Sequence, residues 1–394
     1  MKKLLIATAA LAMVAGTAQA QSTVTVYGKI DSGYSDRKAQ SESSGTVTTA
    51  KGASIVFSAH ETSRFGLRGS EDLGGGLKAN FQIETQLGDD TSNSTGALQG
   101  SNTVYDETLG GRAMWAGVSG GFGEVRIGLQ NAFSKDYVAG FSASGGSNVI
   151  GDATMAAGRA KEKTARAGLL DSRYVGASFA SPSFSGFKVK AMIVNDKQDQ
   201  NKDAAGSLDL TGQEFALEFN QGPIAAAASY GTYTVNSATI TDANMAFKSR
   251  IGQGTTGGIN TVTADTTGEY KQKMTTLNAS YDLGMAKAFY KYGKVETNNQ
   301  TSPTATSNGE AVSNVMGVRV PVGKTTFIAS YAMGDYTAIG SSTSYDDTGY
   351  QLGLEYALSK RTKAYAIYGA TETDKSATAK EKDTQMAVGL IHNF

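Results

Sequence analysis

The chain has 394 residues, no cysteine, two histidines, 48 glycines and 4 prolines, and its 36 basic residues balance 36 acidic ones. These values exclude disulfide frameworks, thiolate metal sites and thiol nucleophiles, and they provide no basic excess for nucleic acid. With 18 tyrosines and 15 phenylalanines, the composition also argues against disorder.

Lys2 and Lys3 precede an almost wholly apolar run from Leu4 to Gly16, and Ala18-Gln19-Ala20 follows. This is the pattern of a secretory signal peptide over residues 1–20, cleaved after Ala20. The apolar run is short for a spanning helix, which needs about 20 residues. Beyond it no apolar stretch approaches that length. The remaining chain, 21–394, instead alternates apolar and polar residues with the strand period of two. Leu77, Ala79, Phe81 and Ile83 oppose Lys78, Asn80, Gln82 and Glu84, and Val125, Ile127 and Leu129 oppose Glu124, Arg126, Gly128 and Gln130. Phe187, Val189, Ala191 and Ile193 oppose Lys188, Lys190 and Met192; later, Tyr350, Leu352, Leu354 and Tyr356 oppose Gln351, Gly353 and Glu355. Met386, Val388 and Leu390 lead to the terminal Phe394.

Connections alternate in length. Tight turns are expected at Leu73–Gly76, Ser119–Phe122, Ser181–Gly186, Asn220–Pro223, Asp282–Gly284, Val320–Gly323 and Leu358–Arg361. Longer polar loops are expected at Ser35–Ala59, Asp89–Gly111, Asn131–Leu170, Asn195–Thr211, Asn236–Lys271, Thr297–Gly309, Thr337–Asp346 and Asp374–Lys382. This division gives sixteen strands with both termini on the short-turn side. Pro182, Pro223 and Pro321 fall in turns and Pro303 in a loop, so none breaks a ladder. A large soluble β-sandwich or β-helix would also use many short strands. The signal peptide and the short/long alternation favour an all-β, 16-stranded antiparallel transmembrane β-barrel, because only closure satisfies strand edges in lipid.

Several stretches are similar to the general diffusion porins of Gram-negative outer membranes, in their beta-proteobacterial branch. They are Val26-Tyr27-Gly28, the run from Ser63 to Glu84, Gly111 to Gln130, Ala357 to Thr362, and the C-terminal VGLIHNF. The resemblance implies a barrel, a homotrimer, and a third long loop (131–170) folded into the lumen. It also implies a C-terminal Phe394 read by the barrel-assembly machinery, with Leu390 and Val388 in the alternate apolar positions. The chain departs from the family in ending its strand with Gly128-Leu129-Gln130 and in lacking a Pro-Glu-Phe-Gly-Gly motif.

The expected partners are outer-membrane lipid, lipopolysaccharide, and small hydrophilic solutes and ions; no cofactor, metal or nucleic acid is expected. If the apolar parity faces lipid, Arg64 and Arg68 face water, because they alternate with Phe65 and Leu67. Lys29, Lys78 and Arg126 join them on the expected inner wall, with Asp31 and Glu84 as acidic exceptions. Asp136, Asp152 and Glu162 on the third loop would supply the opposing acids of a constriction. A basic wall facing loop acids orients polar solutes, and basic residues at the narrowest zone favour anions weakly.

Rival functions are carried by little. An enzyme would need a positioned base. His392 lies on the apolar parity near the chain end, and His60 with Glu61 forms a neighbour pair whose side chains would diverge on a strand. The glycine-rich Leu73–Leu77 stretch lacks the Gly-Lys-Ser/Thr ending of a nucleotide-binding loop. A substrate-specific channel is the main alternative; Tyr27 and Tyr34 could face inward, without a longer aromatic run. An adhesive role of loop 236–271 can coexist with a pore.

Overall fold

The computed structural model of the chain describes residues 22–87, 109–152, 173–198, 208–237, 268–300, 308–337, 344–376 and 379–394. The expected signal segment 1–20, part of the expected loop 131–170 including Glu162, and most of the expected loops 89–111, 195–211 and 236–271 lie outside the described residues.

The first four strands are β1 (Thr23–Ser43), β2 (Thr46–Phe57), β3 (Arg64–Gly74) and β4 (Leu77–Gln86). Next come β5 (Ala113–Gly120), β6 (Gly123–Asn131), helix α1 (Phe133–Gly140), β7 (Arg173–Ala180), β8 (Phe187–Gln198), β9 (Leu208–Gln221) and β10 (Ile224–Ser237). The chain ends with β11 (Gly268–Asp282), β12 (Lys287–Asn299), β13 (Asn308–Val322), β14 (Thr325–Thr337), β15 (Ser344–Ala357), β16 (Thr362–Ser376) and β17 (Ala379–Asn393). Every pairing is antiparallel, and β17 returns to pair with β1. The upper part of β1 pairs with β2 and its lower part with β3. These two segments therefore share one place in the wall, and the result is a closed 16-stranded barrel.

Closure is sealed by the chain ends. Gly28 and Phe394 exchange both backbone hydrogen bonds at 3.1 Å. A Cβ on Gly28 would stand 2.2 Å from the Phe394 ring, so this position must be glycine for the terminal aromatic to lie across the first strand.

The alternation read from the sequence sorts the wall as expected. Ile127, Val189, Ile193 and Leu352 are each more than half exposed on the outer surface, at 66%, 52%, 64% and 55%. Their neighbours of opposite parity, such as Gln130, Met192 and Gln351, are buried inside. In lipid this arrangement leaves the apolar band against acyl chains and keeps the polar face wet. Among the described residues no helix is long and apolar enough to cross a membrane; the crossings are made by strands.

The tight turns fall close to where the sequence places them, for example Gly222–Pro223 between β9 and β10 and Gly323 between β13 and β14, but Pro321, expected in a turn, stands in the end of β13 opposite Thr326. The expected long loop 35–59 is instead a hairpin that continues to Ser43 and returns from Thr46. Its Thr/Ser/Val alternation sustains the ladder beyond the membrane, and Ser44 and Gly45, both with positive φ, make the two-residue turn. The connections at 297–309, 337–346 and 374–382 are shortened in the same way, because the flanking strands extend into them.

Candidate pore constriction

After β6 the chain turns into the barrel and forms α1. Its N-cap residue, Ala132, has no side chain able to cap. The cap comes from the wall beneath it: Phe133 and Ser134 donate backbone N–H bonds of 2.8 Å to the carboxylate of buried Glu214 on β9. An anion at this helix end satisfies orphan donors and complements the helix dipole. Phe133 and Tyr137 pack on Tyr174, Met192, Leu210, Tyr233 and Met274 of the wall. At the other helix end, Lys291 on β12 reaches the Val138 carbonyl at 3.3 Å and the Asp152 carbonyl at 3.4 Å.

The loop then crosses to the far wall. Arg319 on β13 donates to the Ala143 carbonyl at 2.8 Å. Gln351 on β15 donates to the Val149 and Ile150 carbonyls at 2.8 and 3.2 Å. Ile150 N donates to Gln385 on β17 at 3.3 Å. A Cβ on Gly369 would lie 1.7 Å from the Ile150 carbonyl oxygen, so glycine on β16 is what lets the loop backbone lie against the wall. The described part of the third loop is thus folded inward and bound to β9, β12, β13 and β15–β17. None of these hydrogen bonds comes from β3, β4 or β5.

That stretch and the adjoining β6 carry the arginines. Arg68 lies over the Tyr27 ring, 5.1 Å from its centroid, and Arg126 lies 4.2 Å over Trp115. Trp115 Nε1 donates to Gln82 at 3.1 Å, Gln82 donates to the Tyr27 hydroxyl at 2.6 Å, and that hydroxyl donates to Glu84 at 2.9 Å. Glu84 takes Arg112 at 2.7 Å and stands 3.8 Å from Arg64. Attraction to the ring faces holds these guanidinium groups against the wall. Arg126 also pairs with Glu124 at 2.6 Å; among the described residues no carboxylate pairs with Arg68.

The other expected site residues are placed as follows. Lys29 forms an ion pair with Glu61. Asp136 sits on the exposed side of α1, accepting from Asn131 at 2.7 Å. Asp152 is buried and accepts from the Ser142 and Ser144 hydroxyls, so it braces the loop internally rather than charging an open passage. Lys78 lies opposite Asp72 and Ser119 beside the Gly74–Gly76 turn. It is six residues, or about 20 Å along the strand, from Glu84, and is not brought to the loop. Tyr27 faces the lumen, and Tyr34, 41% exposed, shares the outward parity of Ile30.

A second charged group was not singled out from the sequence. Glu355 accepts from Arg319 at 2.6 Å and Lys363 at 2.7 Å, and Lys363 also reaches Glu61 at 2.6 Å. His60 Nε2 lies 3.0 Å from Glu355, although Glu61 is its chain neighbour. Period-two reasoning separates them, but Ser58–Ser63 are not part of a strand. Alternation put Glu355 on the inner face; it could not give its depth or its partners. His392, at the outer surface, bonds Thr362 through Nδ1 at 2.9 Å.

A closed barrel with an apolar exterior, a charged interior and a loop across its lumen defines an outer-membrane channel. A profile of Gram-negative porins matches residues 7–376, and the chain belongs to that family. Outer membrane porin protein 32 of Delftia acidovorans is 31% identical with full coverage of both chains. An outer membrane porin protein of Bordetella pertussis is 27% identical, again over the whole of both. Among solved structures, the anion-selective porin from Comamonas acidovorans superposes with a TM-score of 0.67 at 23% identity, covering 95% of this chain and 100% of the other. OmpT of Vibrio cholerae, lacking loop L8, gives 0.57 at 18% identity, covering 95% and 99%. The protein is a porin of the Gram-negative outer membrane, a water-filled channel for passive diffusion of small hydrophilic solutes and ions.

Proposed function

We propose that solutes pass an eyelet bounded by the inward loop on one side and by Arg64, Arg68 and Arg126 on the other, and that it favours anions weakly. The observation that carries this reading is Arg68, whose guanidinium is exposed to the lumen and has no carboxylate partner among the described residues. Several lumen acids are already paired: Glu84 with arginines, Glu355 with Lys363 and Arg319, and Glu61 with lysines. The relative described as anion-selective supports the same sign. Asp136 offsets the preference from the loop, and Lys29 contributes through its network with Glu61. Passage is physical, and no reaction is assigned to His60 or His392.

The working unit of this reading is a homotrimer in lipid and lipopolysaccharide, delivered by the barrel-assembly machinery through Phe394. The test is reconstitution in planar bilayers. Ohmic steps that occur in threes, with a reversal potential displaced toward the anion side, are expected. Saturable block by a single solute would instead mark a substrate-specific channel.

A further inference from the structure

The ladder beside β1 is interrupted where Ser58–Ser63 stand against only Ile30 and Asp31. The surplus residues fold inward, so that Ser58, Ala59 and His60 are all buried. We propose that this knuckle is the latch that fixes the tip of the constriction loop and so sets the opening of the eyelet, with His60 as its positioning residue. The proposal rests on the reading that the loop bounds the eyelet.

The knuckle is built on Asp31, which is fully buried. One carboxylate oxygen accepts from the backbone N–H groups of His60 and Glu61 at 2.7 and 2.5 Å, and the other accepts from the Tyr365 hydroxyl at 2.7 Å. Ser58 N donates to the Asp31 carbonyl at 2.9 Å, and Asp31 N donates to Ser63 Oγ at 2.9 Å. Ser58 itself has φ 63°, a cost that a side chain accepts only where surrounding bonds impose it. All of these bonds lie within the wall, so the knuckle has its shape before the loop arrives.

What it presents inward is a set of groups that fit one segment of the loop. Asn148 donates its backbone N–H to the His60 carbonyl at 2.6 Å and its side-chain amide to the Ser58 carbonyl at 2.7 Å. Val149 is buried among Ala59, Tyr365, Ile367, Ala387 and Ile391. His60 joins the two halves: Nδ1 lies 2.9 Å from Ser147 Oγ on the loop, and Nε2 lies 3.0 Å from Glu355 on the wall. Since Glu355 only accepts, Nε2–H donates to it, and Nδ1 is left to accept from the serine hydroxyl. The Tyr365 ring, 5.0 Å away, fixes the imidazole plane. Glu214 and Arg319 hold the loop nearer its start, Lys291 bonds both Val138 and Asp152, and Gln351 and Gln385 bind Val149 and Ile150 beside the knuckle. The knuckle holds residues 147–149.

The chain has no cysteine, so Val149→Cys introduces a single thiol whose reaction with a water-soluble maleimide reports release of the tip. In that background His60→Ala should label about tenfold faster, the effect of losing roughly one buried hydrogen bond on an opening equilibrium. His60→Gln, which keeps an amide donor for Glu355 and a carbonyl acceptor for the Ser147 hydroxyl, should restore slow labelling. In bilayers and liposomes, His60→Ala without the cysteine should raise single-channel conductance and admit neutral sugars that the parent excludes. Heat-modifiable migration on gels checks that the barrel is folded; if His60→Ala fails that check, Ser147→Ala removes the same bond from the loop side. Equal labelling of folded His60→Ala and parent overturns the latch. Equal acceleration by His60→Gln overturns the positioning role, leaving His60 as filler. Faster labelling with unchanged conductance and sugar cutoff overturns the eyelet reading instead.

Discussion

Asp31 illustrates how a single residue can decide local structure without being legible in the chain. It lies on the inner parity of β1 and looks like one more wall charge, yet it is fully buried and holds His60, Glu61 and Tyr365. Asp31→Ala would leave three donors without their acceptor, at about 1–3 kcal/mol each where buried. The expected loss is at least about 3 kcal/mol, read as a fall in the urea midpoint of the folded protein in micelles; an unchanged midpoint would contradict the role given to it. Gly369→Ala tests close approach: the added methyl meets the Ile150 carbonyl, and overpacking of this kind costs about 1–3 kcal/mol unless the loop moves. Either lower stability or altered conductance is expected, and the absence of both would contradict the described packing. Arg64 and Arg68 could be assigned to the lumen from parity alone, because Phe65 and Leu67 fix the other face. The partners of Arg68 and Arg126 could not, since Tyr27 and Trp115 come from other strands and reach the arginines only through register.

At the scale of elements, the strands were readable because a membrane strand must alternate, and the tight turns because proline and positive-φ glycine have few other places to go. Strand length was less readable. β1 and β2 run on above the membrane, where polar residues on both faces erase the apolar signal while the ladder persists. The break at Ser58–Ser63 was invisible for a related reason: leaving a ladder needs no special composition when a buried carboxylate on the neighbouring strand supplies the lost bonds. The helix α1 lay inside what reads as a small-residue loop, with its cap on β9. The outer band gives a direct prediction. Leu352 lies between Tyr350 and Tyr356 in outward parity, 55% exposed. Leu352→Arg should cost about 2–4 kcal/mol, as a charge near the bilayer midplane does. Its neighbour Gly353 has the inward parity, and an added Cβ there would meet Ile367 at 2.8 Å, so a change at Gly353 costs packing rather than charge in lipid. Unfolding titrations in lipid vesicles compare Leu352→Arg with Leu352→Ala; equal costs would mean that the outward face is assigned wrongly.

For the whole molecule, the chain ends close the sheet, the outer face accepts lipid, and the loop divides the lumen into an occupied side and an arginine-bearing side. In the proposed eyelet, selectivity belongs to fixed charge across the aqueous gap. Salt screens such charge over about 10 Å at 0.1 M and 3 Å at 1 M, so ion preference should fade as salt is raised while the conductance steps grow. The most direct measurement is the reversal potential of single channels across a salt gradient at low ionic strength, for the parent and for Arg64→Gln, Arg68→Gln and Arg126→Gln combined. The expected result is a parent potential on the anion side and a triple variant displaced toward cations, with Arg68→Gln alone giving the largest single displacement. Folded, conducting channels in which the triple variant reverses at the parent's potential would contradict the arginine wall as the selective element.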